Sequence, residues 1–102
     1  MKTTPTHASS EVVFRGVLPS DALLATVREQ DALLCSVLSV WPAMRRTEIS
    51  RQPAAFRVRA SGVLDGDELS GQAEHPQAEV AVQRAYSELL RSLLMRTRPL
   101  AA

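Results

Sequence analysis

The chain has 102 residues, of which 45% are hydrophobic but only 4% aromatic, and twelve Lys and Arg against eleven Asp and Glu leave a net charge of +1. That length holds one two-layer core, which the composition expects to be built from Leu, Val and Ala, and it excludes a second core and a disordered or fibrous chain. The near-neutral total does not select nucleic acid by itself, and the single cysteine, Cys35, excludes an internal disulfide and a four-ligand zinc site of the cysteine type.

Residues 1–10, "MKTTPTHASS", are Thr- and Ser-rich without periodicity and read as a disordered arm. No apolar stretch follows its one Lys and no window reaches the length of a membrane span, which points to a cytoplasmic protein with no membrane partner. "EVVFRGV", residues 11–17, reads as a strand from its Val and Phe content. Pro19 and Ser20 interrupt it, with Ser20 placed as a helix N-cap and Asp21 in the first turn, where a carboxylate suits the helix dipole.

From Asp21 to about Val40 the residues Leu23, Leu24, Val27, Leu34, Val37 and Leu38 recur near helical spacing, although Glu29, Gln30 and Asp31 interrupt the stripe. "WPAM" at 41–44 closes this helix, because a residue ahead of proline avoids the helical region. "RRTEISR" at 45–51 and "AFRVRASGVL" at 55–64 are the next strands. The second alternates Phe56, Val58 and Ala60 with Arg57, Arg59 and Ser61, the pattern of a strand with one face buried and one open. A turn at "DGD" leads into "ELSGQAE", the fourth strand. Pro76 suits the first turn of a second helix, and Val82, Ala85, Tyr86, Leu89, Leu90 and Leu93 form the strongest apolar stripe in the chain, ending near Thr97.

The order strand, helix, three strands, helix predicts an α+β two-layer sandwich, with two helices covering one face of a four-stranded sheet. It occupies residues 11–98 as a single domain, followed by a tail at 99–102.

Asp65, Asp67, Glu68 and Glu74 cluster around the "DGD" turn, but their spacing is not that of a calcium loop, and a turn tip does not desolvate a carboxylate enough for acid/base work. Asp-Gly in a short connection is what a hairpin needs, so the cluster reads as a bend. His7 and His75 lack a third ligand, and His75 is placed as a cap for the second helix. Cys35 sits in an apolar helical run and reads as a structural thiol. No serine lies in a Gly-flanked elbow and there is no Gly-rich phosphate loop, so the chain reads as a non-enzyme with no metal, no cofactor and no small-molecule substrate.

The remaining signal is arginine, eleven of the twelve basic residues, the side chain best suited to bidentate phosphate contact. Between residues 45 and 59 the local charge is +4 from Arg45, Arg46, Arg51, Arg57 and Arg59 against Glu48, while 62–75 carries four carboxylates and no cation. Along the chain this predicts an electrically polarised fold, with any RNA surface kept away from the "DGD" edge.

A strand, a short Gly-containing turn, a strand ending in Ala73 and Glu74, then a helix with Val82, Tyr86, Leu89, Leu93 and Arg91 together resemble the bacterial ribosome hibernation promoting factors and ribosome-associated translation inhibitors, also called sigma-factor modulation proteins. "SDAL" at 20–23 is similar to the start of that family's first helix, and the resemblance runs from about Val12 to Arg98. It implies a β-α-β-β-β-α fold like that of double-stranded-RNA-binding domains. It also implies binding to rRNA of the small ribosomal subunit, silencing of translation under stress or in stationary phase, and no cofactor or catalysis. Of the family's basic positions Arg91 carries over. Combined with the arginine pattern, the expected RNA contacts are Arg45, Arg46, Arg57, Arg59, Arg84, Arg91, Arg96 and Arg98. The alternative expectation, favoured by the near-neutral charge, Trp41 and the abundant Leu, is a protein-interaction or homodimerising module of the same fold that does not bind the ribosome.

Overall fold

The computed structural model of the chain describes residues 9–37, 42 and 44–97. Its elements are β1 (Ser9–Arg15), α1 (Asp21–Val37), β2 (Met44–Arg51), β3 (Phe56–Leu64), β4 (Asp67–His75) and α2 (Ala78–Thr97), the expected α+β order. The strands form one sheet in the order β1-β2-β3-β4, with β1 parallel to β2 and the other pairs antiparallel. Parallel neighbours require a crossover, and α1 supplies it. β1 begins at Ser9, inside the segment read from sequence as an arm. The remainder of that arm, the helix end at Leu38–Val40, Trp41 and the tail lie outside the described residues.

Local chemistry sets the element ends. The Leu23 amide donates to Ser20 Oγ at 3.0 Å and the Leu24 amide to the Ser20 carbonyl, so Ser20 caps α1. Ahead of α2 the Gln77 amide donates to His75 Nδ1 at 3.0 Å, which gives that histidine its capping role. Asp65 (φ 55°) and Gly66 (φ 83°) form the two-residue connection between Leu64 and Asp67, with the positive φ at both positions that a type I′ hairpin demands. The carboxylate knot is therefore a bend.

Both helices cover one face of the sheet. Ile49 and Val58, neither exposed at all, and Ala60 meet Val82, Ala85, Leu89 and Leu93 of α2, while α1 contributes Val27 and Leu34 to the same cluster. The core is aliphatic, as the composition implies. Among the described residues no helix is long and apolar enough to cross a membrane.

The polar interruption of the α1 stripe has a structural cause. Asp31 is not turned to solvent but accepts two hydrogen bonds from Arg45 of β2, from Nε at 2.6 Å and from Nη2 at 2.9 Å. Val37, counted with the apolar stripe from its spacing, is 57% exposed instead, because α1 has turned it past the sheet and toward the outer groove beside α2. Cys35 is free and half-buried, and burial pushes its thiol up, away from the thiolate a nucleophile needs.

Tyr86 places a second polar link under the sheet: its hydroxyl and Thr47 Oγ1 lie 2.8 Å apart in a buried hydrogen bond. Burial pushes the phenol up to about 12. The folded state thus holds this proton more tightly than the unfolded chain, so the stability it contributes is complete below pH 10 and is lost as pH rises from 10 to 12. Urea unfolding across that range should show a decline of about 2–3 kcal/mol from this group. Tyr86→Phe should remove that component while costing about 1 kcal/mol at neutral pH through the lost Thr47 partner. An unchanged alkaline profile in the Phe variant would contradict this.

Candidate nucleic-acid interface

Strand parity assigns the arginines to faces. In β2 the buried Ile49 fixes Thr47 and Arg45 on the helix side, leaving Arg46, Glu48 and Ser50 on the open side. The registers Glu48↔Arg59, Ser50↔Arg57 and Arg57↔Glu74 then continue the open face across β3 and β4, and Glu11, Val13 and Arg15 extend it onto β1.

That face is a lattice of paired charge. Arg46 Nη2 is 3.2 Å from Glu48 Oε2, and Arg15 reaches the same carboxylate at 3.7 Å. Arg57 binds Glu74 through Nε and Nη2, both at 2.8 Å, and Arg59 approaches Glu68 at 3.7 Å. Four arginines (Arg15, Arg46, Arg57, Arg59) face four glutamates (Glu11, Glu48, Glu68, Glu74), so the open face is neutral as a whole. The charge polarisation expected from the linear sequence is absent here. The hairpin folds the acidic segment back beside the basic one, and residues 17 apart in the chain become neighbours.

Of the eight arginines expected to contact RNA, Arg45 must be removed. It lies beneath the sheet with its side chain 8% exposed, held by Asp31 and donating from Nη1 to the Pro42 carbonyl at 3.0 Å, and the same parity that exposes Arg46 buries it. Arg46, Arg57 and Arg59 share the open face. Arg84 and Arg91 lie on α2, two turns and about 10 Å apart along the axis. Arg84 borders a shallow depression of about 340 Å³ with Gln72 and Glu74, so the open face continues around the β4 edge onto α2. Arg91 is 74% exposed and only loosely paired with Glu88 at 3.7 Å. Arg96, at the end of α2, is tied to Asp67 at the hairpin tip. Arg98 lies outside the described residues.

Sequence reasoning missed Arg15, which joins the open face, and Arg28, exposed on α1 with no ion pair among the described residues. Alternation in β1, with Val12 and Phe14 turned to the core, is the signal that marks Arg15. Arg51, at the end of β2, stacks over the Phe56 ring at 5.4 Å from its centroid, and this spends its guanidinium face on packing. Among the described residues no group of three His, Cys, Asp or Glu is arranged to hold a metal.

The fold has known counterparts. The chain is similar to the Protein Y N-terminal domain of Thermus thermophilus, with a TM-score of 0.72, 18% identity, and coverage of 89% of this chain and 99% of that one. It is also similar to a ribosomal subunit interface protein from Coxiella burnetii, with a TM-score of 0.77, 17% identity, and coverage of 88% and 98%. No family model matches the sequence, and no curated protein matches it either. The resemblance carried by the hairpin and final helix therefore holds at the level of the fold, over nearly the whole described chain.

Proposed function

We propose that this chain is a ribosome-associated RNA-binding protein that docks on the small ribosomal subunit and silences translation under stress or in stationary phase. The observation that supports it most is the likeness, over 88% of this chain and 98% of the other, to a structure described as a ribosomal subunit interface protein. The reading needs phosphate contacts from a surface that is neutral in the free state. Exposed ion pairs are worth only about 0–1 kcal/mol each, so Arg57, Arg59 and Arg46 exchange a glutamate for a phosphate at little cost. Arg84 and Arg91 on the adjoining flank of α2 add cations that few carboxylates hold. The glutamates stay in place, so affinity should be modest and fall steeply with salt.

Co-sedimentation of the full chain with purified small subunits tests this reading. Binding should be present at about 50 mM salt and largely lost near 200 mM. Arg57→Gln with Arg59→Gln, and separately Arg84→Gln with Arg91→Gln, should each weaken it and lower the salt slope by about 1 per contact removed. Failure to sediment at low salt would refute the reading.

A second reading, a protein-interaction module of the same fold, is favoured by a specific feature. Leu33, Val37 and Leu90 line an apolar groove of about 260 Å³ between α1 and α2, and Leu33 and Val37 are more than half exposed. A chain that leaves small subunits untouched yet forms stable complexes blocked by Leu33→Glu would decide for it.

A further inference from the structure

The two edges of the sheet are unequal. β4 carries Asp67, Glu68 and Glu74, and its edge is flanked by Arg84 and Glu88 of α2, so charge guards its free amides and carbonyls. β1 carries two charges of opposite sign, Glu11 and Arg15, both on the open face, and its helix-face residues Ser10, Val12 and Phe14 carry none. It is seven residues long, SSEVVFR, without Pro, Gly or Lys, and no strand pairs with its outer side among the described residues. On the helix side a notch of about 370 Å³ opens between this edge and α1, lined by the apolar Val12, Leu24, Val27 and Ala32 and by the polar Ser10, Arg28 and Asp31. The edge offers backbone hydrogen bonds beside an open recess of mixed polarity.

Two copies of one chain that pair edge to edge in antiparallel fashion are related by a two-fold axis normal to the sheet. Opposed residues must then share a face, so the axis runs midway between the two copies of one residue, and each choice of that residue gives one register. An axis at Glu11 sets glutamate against glutamate. One at Val12 places Glu11 against Val13 and Ser10 against Phe14, and one at Phe14 places Arg15 against Val13 and Val12 against Gly16. Only an axis at Val13 sets Glu11 against Arg15 and Val12 against Phe14, twice each, with Val13 against itself. Charge meets opposite charge on the open face, and apolar meets apolar on the helix face.

The side chains are poised for that register. Glu11 is exposed and has no ion pair among the described residues, and Arg15 is 60% exposed, touching Glu48 only at 3.7 Å. Pairing would continue the open-face row Glu74, Arg57, Ser50, Arg15 into Glu11 and Arg46 of the second copy, keeping the alternation of sign across the junction. Beneath it, the second copy's Phe14 comes to lie opposite Val12, at the mouth of the notch.

We infer that β1 is a homodimerisation edge: two copies pair antiparallel about Val13 to form one continuous eight-stranded sheet, with Glu11 and Arg15 as reciprocal cross-strand ion pairs. This holds whichever reading of the function is correct, since it rests on the edge and not on the RNA surface.

Sedimentation equilibrium of the full chain should give a mass rising with concentration from 11.1 kDa toward twice that value. Glu11→Arg and Arg15→Glu, both at exposed positions, should each weaken the dimer by about tenfold or more, because each turns two attractive pairs into like-charge pairs. Mixed in equal amounts, the two variants should recover wild-type affinity, since each arginine then faces a glutamate. Amide hydrogen exchange of wild-type β1 should slow with concentration, a readout that needs no variant. A mass of 11.1 kDa at every concentration, dimers indifferent to both reversals, a mixture no tighter than its components, or β1 exchange unchanged while the mass doubles would each overturn the inference.

Discussion

Gly71→Ala is expected to destabilise the protein by about 3 kcal/mol or more, and Gly71→Val to prevent folding. Gly71 sits in β4 opposite Ala60 of β3, where α2 crosses the sheet. A Cβ added there would lie 2.3 Å from the Ala85 carbonyl oxygen, 2.4 Å from the Leu89 amide nitrogen and 2.7 Å from Glu88 Cβ. The first two are backbone atoms of a helix interior and cannot rotate away. Either α2 lifts off β4, uncovering Val82, Ala85 and Leu89, or β4 bulges and breaks its ladder with β3. Overpacking usually costs 1–3 kcal/mol where neighbours can adjust, and here they cannot, so the upper end applies. For a domain near 100 residues with about 5–15 kcal/mol of stability, that loss lowers the melting temperature by roughly 12–24 °C. Gly62→Ala should cost less, because its Cβ would meet the Pro42 ring at 2.7 Å, a side chain and not the backbone of a helix. A Gly71→Ala protein that melts within a few degrees of wild type, or above Gly62→Ala, would refute the close-packing account.

This contact also shows where sequence reading stops. The elements themselves were legible because each depends on short-range chemistry: the Val82-to-Leu93 stripe, the Ser20 cap, the Asp65-Gly66 turn and the alternation through Phe56, Val58 and Ala60 all lie within a few residues of their cause. The charge surface was not, because pairing register is a property of two dimensions. Counting charge along 45–59 and 62–75 separates cations from anions, and antiparallel pairing then interleaves them, so Arg57 meets Glu74 and Arg59 meets Glu68. Arg45 stands between these cases. "RRTEISR" gives its parity once Ile49 is taken as the inward residue, and the carboxylate that pairs with this inward arginine had already declared itself in the polar break of α1 at Asp31. Gly71, with no side chain and no pattern, gave no sign of the helix above it.

The Asp31–Arg45 pair is expected to behave as a structural strut that fails when its carboxylate is removed. Asp31 is 14% exposed and Arg45 8% exposed, and together they fasten α1 to β2 at the one place where the apolar stripe of α1 is broken. Burial alone would push the guanidinium down, but the hydrogen bond and charge of Asp31 more than reverse this and leave it raised. Asp31→Ala should therefore cost about 3–5 kcal/mol, since it takes two charge-assisted hydrogen bonds away from a buried guanidinium. Replacing both partners with apolar groups of similar volume, as Asp31→Leu with Arg45→Met, removes the charge together with its need for a counter-charge, and most of the stability should return. The double variant also separates stability from binding. Arg45 lies under the sheet, so under the proposed small-subunit binding a chain restored in fold but lacking this arginine should sediment like wild type, whereas the Arg57, Arg59 pair of substitutions, equally folded, should sediment less. Denaturant titration of the two variants checks the first part. A loss below about 1 kcal/mol for Asp31→Ala, or a double variant no more stable than the single, would show that the pair is not fully desolvated. Reduced sedimentation of the well-folded double variant would return Arg45 to the proposed RNA contacts.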